Sequence, residues 1–192
     1  MKTISLNLFL AVLILFSSMI TVYAMDIGEK IPHNLSLNDQ SGTIQSIDTL
    51  SGEKGLVLFF IRSVNWCPYC QAQLVEINKR VKDFEKQGYK VVALSYDPVG
   101  SLERFSNQRK ITFPLLSDNK SVAIKAFGLL NTSIREGSPH YGIPNPTIMV
   151  IGHDMIIQSI HQEGGYKKRP DLDIVLRSLV YIDYDRRQNT KY

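Results

Sequence analysis

Apolar and polar positions follow one another along this chain in distinct rhythms, and each rhythm marks an element. Residues Leu35–Leu37 and Thr43–Ile47 alternate around a Ser41-Gly42 turn, which predicts a small hairpin. A turn at Ser51–Gly55 leads into Leu56–Ile61, a continuous apolar run that predicts a strand buried on both faces. After Cys70 the rhythm changes to spacings of three, four and three, at Leu74, Ile77, Val81 and Phe84. Gln73, Lys79, Arg80, Lys82, Asp83 and Lys86 fall on the opposite face, so this is an amphipathic helix, ended by Gly88. Tyr89–Ser95 reads as the next strand, broken by Asp97-Pro98. A short helix over Ser101–Lys110, a brief strand at Phe113–Leu116 and a helix at Ser121–Phe127 follow.

Asn131–Asn145 is a long polar loop with Gly137, Pro139, Gly142 and Pro144, of the kind that often borders a site. Thr147–Ile151 and Met155–Ile160 flank a Gly152-His153-Asp154 turn. Asp171–Ile182 is a last amphipathic helix with Leu172, Val175, Leu176 and Leu179 inward, and residues 183–192 read as a frayed polar tail. The order β-β-β-α-β-α-β-α-β-β-α predicts an α/β sandwich. Its central sheet is mixed, helices cover both faces, and an N-terminal β-hairpin is added.

Ahead of these elements the chain opens on Met1-Lys2, then an apolar stretch from Ile4 to Phe16. Val22-Tyr23-Ala24 offers small-residue spacing for cleavage, so residues 1–24 read as a signal peptide. Ser5, Asn7, Ser17, Ser18 and Thr21 argue against a permanent membrane anchor. Either way the expected location is exported, in a bacterial periplasm. Residues 25–182 then form one domain. The formal charge of +4 is modest and its cations scatter along helices, which argues against a nucleic-acid partner. Lys167-Lys168-Arg169 reads as a solvated loop.

The chemistry is concentrated in Trp66-Cys67-Pro68-Tyr69-Cys70, which holds the only two cysteines of 192 residues. A C-x-x-C pair between a buried strand and a helix is a redox arrangement. Cys67 falls at the helix N-terminus, where unpaired N–H groups favour a thiolate. Pro68 suits the first helical turn, and Cys70 is near enough to close a Cys67–Cys70 disulfide. Such a small loop stabilises a fold little, so a purely structural bridge is disfavoured. Zinc would need four ligands, and the four histidines lack a matching spacing. His140, in the long loop, borders the site or is simply exposed; His33, His153 and His161 read as surface or turn residues.

Phe59-Phe60, Trp66–Cys70 and Asn145-Pro146-Thr147-Ile148 together resemble the thioredoxin superfamily. The hairpin and the stretches Ser95–Asp97 and Phe113–Asp118 resemble its redoxin branch, which holds the alkyl-hydroperoxide-reductase/thiol-specific-antioxidant proteins and exported thioredoxins. The resemblance covers about Asp26 to Ile182. It implies Cys67 as nucleophile, Cys70 as resolving thiol, and Trp66 beside an exposed sulfur. It also implies Pro146 as a cis-proline, preceded by Asn145, along which a substrate backbone pairs. Trp66, Pro68, Tyr69, Asn145 and Pro146 are thus the expected substrate-binding residues.

Two departures from the resemblance bear on mechanism. The buried carboxylate that thioredoxins carry six residues before the first cysteine is Ile61 here. The exported branch often carries Glu three residues after the second cysteine, and here that residue is Gln73. Water or an acid from elsewhere is left as proton acceptor for Cys70. The Thr with which peroxiredoxins grip a peroxide falls at Val64 counted back from Cys67, or at Cys67 counted back from Cys70, and the Arg falls at Asn145, leaving Arg62 or Arg135 to substitute. The expected activity is therefore thiol:disulfide exchange through a mixed disulfide on Cys67. A peroxiredoxin-like thiol peroxidase is the alternative, and a non-catalytic binding module the second alternative. Expected partners are client disulfides and an upstream thiol donor or oxidant, such as a membrane thiol-disulfide exchanger. No metal or organic cofactor is implied beyond the redox-active disulfide.

Overall fold

The computed structural model describes residues 23–32, 35–165 and 167–189. Most of the signal segment, together with His33, therefore lies outside the described residues. Among the described residues seven strands form one mixed sheet: β1 (Ser36–Asn38), β2 (Ile44–Ser46), β3 (Gly55–Phe60), β4 (Tyr89–Ser95), β5 (Leu115–Ser117), β6 (Thr147–Gly152) and β7 (Ile157–His161). Their order across the sheet is β2-β1-β5-β4-β3-β6-β7. Strands β3, β4 and β5 run parallel, while β6, β7 and the β1–β2 hairpin are antiparallel to their neighbours. Among the described residues four helices accompany them: α1 (Pro68–Lys86), α2 (Val99–Arg109), α3 (Val122–Ala126) and α4 (Leu172–Asn189), the last of which follows β7. This is the thioredoxin-like α/β sandwich expected from the sequence.

Strand β3 explains the continuous apolar run. Every one of its residues is buried, because β4 and β6 flank it and both of its faces are covered. Val57 and Phe59 point into one core with Leu74, Ile77 and Phe84 of α1 and Val175 and Leu179 of α4. Leu56, Leu58 and Phe60 point into the other, with Ile124, Phe127 and Met149. Gly55 begins β3 at φ +144, and a Cβ there would run into the carbonyl of Ile151, so the entry to β3 requires glycine. Gly88, at φ +87, ends α1 by the left-handed turn that the sequence suggests.

The last helix departs from expectation. It continues to Asn189 rather than fraying after Ile182. Asp183 pins the extra turns by pairing with Lys54 at 2.8 Å and with Arg187 at 3.5 Å. Strand β7 begins at Ile157 rather than Met155, since Met155 takes φ +64 and Ile156 pairs with Lys30. Among the described residues no helix is long and apolar enough to cross a membrane.

His161 is half-buried rather than free at the surface. Its Nε2 lies 2.7 Å from Ser159 Oγ and 3.1 Å from Ser178 Oγ, tying β7 to α4. Burial lowers its pKa below the ordinary 6.5, so the fold holds the neutral ring. Its contribution is complete above the unfolded value and is lost as pH falls through the folded one. Urea midpoints are expected to drop on going from about pH 7 to about pH 5, and His161→Gln should flatten that slope. An unchanged slope in the variant would place the titrating group elsewhere.

Candidate active site

Strand β3 delivers the chain to residues 61–66, which turn across its end and enter α1. Cys67 is the N-cap, with Pro68 in the first turn as expected. Its Sγ accepts the Cys70 N–H at 3.2 Å. Cys67 and Cys70 are joined in a disulfide with their Cα atoms 5.3 Å apart. Both cysteines are fully buried, so the exposed sulfur implied by the resemblance is corrected. Two arginines lie against them.

Arg62 leaves the end of β3 and places Nη2 3.5 Å from Cys67 Sγ. Its guanidinium sits 5.2 Å from the centre of the Trp66 ring, a cation–π contact. Arg169 comes from the segment before α4. Its Nη2 donates to Cys70 Sγ at 3.2 Å and lies 3.7 Å from Cys67 Sγ. Its Nε donates to Gln73 Oε1 at 3.0 Å, and its Nη1 to the Lys168 carbonyl at 2.7 Å. Burial, and then the positive charge of Arg62, push the Arg169 pKa below its ordinary value. A guanidinium nevertheless stays protonated in a protein. The reading of residues 167–169 as a solvated loop thus fails at Arg169, which is half-buried. Nothing in the sequence marks it, because 99 residues separate it from Cys70. Arg135, the other candidate, is exposed on the 131–145 loop and is not among the described donors to either sulfur.

Trp66 is held from two sides. Its Nε1 donates to the Tyr96 hydroxyl at 2.9 Å, and its ring packs on His140 with centroids 4.3 Å apart. His140 therefore borders the site. Tyr69 is 38% exposed just inside the helix start. Asn145 and Pro146 line a groove of about 460 Å³ with Arg62, Asn131, Ile143 and Gln162. The described peptide bonds are all trans, so the expectation of a cis Pro146 is corrected. The Asn145 N–H donates to the Leu129 carbonyl at 2.7 Å and is not offered to a passing substrate chain. The groove meets the sulfurs through Arg62, which lines it and touches Cys67.

Residues 63–65 are braced by Asp97, which the sequence shows only as the end of a strand. Its carboxylate accepts from Val64 N at 2.7 Å, Ser63 Oγ at 2.8 Å, Ser95 Oγ at 2.8 Å and Asn65 Nδ2 at 3.2 Å. Burial pushes its pKa up, and these hydrogen bonds oppose the rise. Among the described residues no cluster of three or more His, Cys, Asp or Glu is arranged to hold a metal ion.

The AhpC/TSA family model matches residues 27–160. The 1-Cys peroxiredoxin PER1 of Hordeum vulgare is 26% identical over 141 residues, covering 70% of this chain and 62% of its own. The chain thus spans less than two thirds of that relative's length. Peroxiredoxin Bcp of Escherichia coli (strain K12) is 26% identical over 149 residues, covering 78% of this chain and 92% of its own. Among solved structures, peroxidoxin BcpB from Mycobacterium tuberculosis superposes with a TM-score of 0.71 at 25% identity, over 82% of this chain and 98% of that one. A yeast mitochondrial 1-Cys peroxiredoxin gives a TM-score of 0.73 at 19% identity, over 86% and 79%, a likeness of fold alone.

Removing the Asp97 carboxylate leaves several donors under the active-site turn without their acceptor. Asp97→Ala is expected to cost about 3 kcal/mol in denaturant unfolding. A loss below about 0.5 kcal/mol would mean that the turn is held by other contacts.

Proposed function

Because the chain belongs to the AhpC/TSA family, we propose that it is a thiol-dependent peroxidase in which Cys67 attacks the peroxide and Cys70 resolves the product. The observation that carries this reading is the Arg62 guanidinium, 3.5 Å from Cys67 Sγ. It supplies what the sequence lacks at Val64 and Asn145. The ranking reached from the sequence, with thiol:disulfide exchange ahead of peroxide reduction, is accordingly reversed.

The Cys67 thiolate attacks the terminal oxygen of a hydroperoxide. The O–O bond breaks, Cys67 becomes a sulfenic acid, and an alkoxide or hydroxide leaves and takes a proton from water. An N–H donor beside the sulfur stabilises the charge that develops on that leaving oxygen. The Cys70 thiolate then attacks Cys67 Sγ, hydroxide leaves and is protonated to water, and the Cys67–Cys70 disulfide forms. An external dithiol reduces it by two electrons, through a mixed disulfide. That last half is thiol:disulfide exchange, and the C-x-x-C pair, bridged across one helical turn, is suited to it.

The groove of Asn145, Pro146 and Gln162 leads to Arg62 and is the proposed approach for hydroperoxide and donor. Trp66 and Tyr69, flanking the sulfur and the helix start, are the proposed contacts for the donor. Export is part of the reading on the pattern of residues 1–24, and a membrane thiol-disulfide exchanger is then the donor class.

Stopped-flow oxidation of the reduced protein by hydrogen peroxide and by an organic hydroperoxide tests the assignment. The expected second-order rate lies several orders above that of a free thiolate at the same pH. Cys67→Ser should abolish it, and Arg62→Gln should lower it on the order of a hundredfold. A wild-type rate no higher than a free thiolate's, with insulin still readily reduced, would return thiol:disulfide exchange to first place.

A further inference from the structure

The peroxide-attacking sulfur is accounted for by the helix terminus and Arg62, but the second thiol is not. Cys70 lies within the first turn of α1, its N–H already used by Cys67 Sγ, and it is fully buried. Burial without compensation raises a thiol's pKa and leaves it inert at neutral pH. Neither carboxylate position supplies a base, since Ile61 and Gln73 occupy them.

We propose that Arg169, oriented by Gln73, is the catalytic cation of the resolving step, holding Cys70 as a thiolate so that no base is needed there. The geometry is specific. Arg169 Nη2 is nearer to Cys70 Sγ, at 3.2 Å, than to Cys67 Sγ, at 3.7 Å. Arg62 Nη2 reaches Cys67 Sγ at 3.5 Å, so Cys67 is contacted by both guanidiniums, while the described one at Cys70 is that of Arg169. Gln73 is itself buried, and its Oε1 accepts Arg169 Nε at 3.0 Å, which fixes the fork of the guanidinium over the sulfurs. A glutamate at that position would pair with the arginine and offset its charge; the neutral amide of Gln73 orients it without offsetting that charge. Arg169 also lies beyond residues 27–160, the segment that the family model matches.

The described charged groups facing the sulfurs are Arg62, from the end of β3, and Arg169, from the segment before α4. Helix α1 contributes the neutral Gln73. The Asp97 carboxylate is turned to residues 63–65 and Ser95. The proton of Cys70 therefore passes to solvent before the peroxide arrives. The preformed thiolate attacks the Cys67 sulfenic acid, the S–O bond breaks, and hydroxide leaves to be protonated by water. Gln73 is a positioning residue, acting through Arg169.

This inference rests on the peroxidase reading for its place in the cycle, but its test needs no peroxide. The reduced Cys67→Ser protein carries Cys70 as its only thiol, and its thiolate absorbance near 240 nm is followed against pH. Cys70 is expected to ionise well below the ordinary value of about 8.5. Arg169→Gln in the same background should move the midpoint up by a unit or more, Arg169→Lys should restore part of the shift, and Gln73→Met should move it part way up. Midpoints that coincide with and without Arg169 would overturn the proposal. Should the Arg169→Gln protein fail to fold, Gln73→Met decides, since it keeps the cation and removes its orientation: an unmoved midpoint there is equally fatal. A protein that passes this titration yet meets peroxide no faster than a free thiolate would sink the peroxidase reading alone.

Discussion

Burying a sulfur anion is costly unless donors and positive charge are already in place, and that constraint organises this molecule. Cys67 and Cys70 are both sealed from solvent in the disulfide state. Compensation comes from the N-terminal end of α1 for one and from guanidinium groups for both. The two cations in turn must be held close to each other, against their mutual repulsion. Trp66 receives the first and Gln73 the second, so neither depends on the sulfurs alone for its position.

The rest of the fold supplies a rigid frame for this arrangement. Strand β3 is locked between β4 and β6 and buried on both faces, so Arg62 emerges from an immobile base. Asp97, at the end of the neighbouring β4, grips the turn from Ser63 to Asn65. Helix α1 is fixed by Leu74, Ile77 and Phe84 packing on the sheet, and α4 packs beside it through Val175 and Leu179. The segment carrying Arg169 is stretched between β7 and α4 and is thereby delivered to the opening of α1.

What the sequence makes legible follows from which interactions are local. Strand β3, helix α1 and the position of Cys67 as its cap depend on residues close in sequence, and their periodicities and capping signals are plain. The Cys67–Cys70 pairing is readable for the same reason. Arg169 is not, because its partners lie a hundred residues away and its neighbours Lys167 and Lys168 suggest only a solvated loop. Asp97 looks like a strand terminator until the sheet brings it under residues 63–65. His161 looks like a surface residue until α4 folds over it. The conformation of Pro146 is likewise a tertiary outcome, with the Asn145 N–H taken up by Leu129.

The separation between Cys70 and Arg169 also bears on the life of the chain before it is folded. Synthesis proceeds from the N-terminus, so the two cysteines leave the ribosome well ahead of the cation that serves the second of them. Until β7 has joined the sheet and α4 has docked, Cys70 has neither its arginine nor the cover of the completed core. Its full reactivity is thus withheld from the nascent chain and granted only when nearly the whole domain has assembled. Placing the activating charge late in the sequence makes the chemistry itself a report that folding is complete.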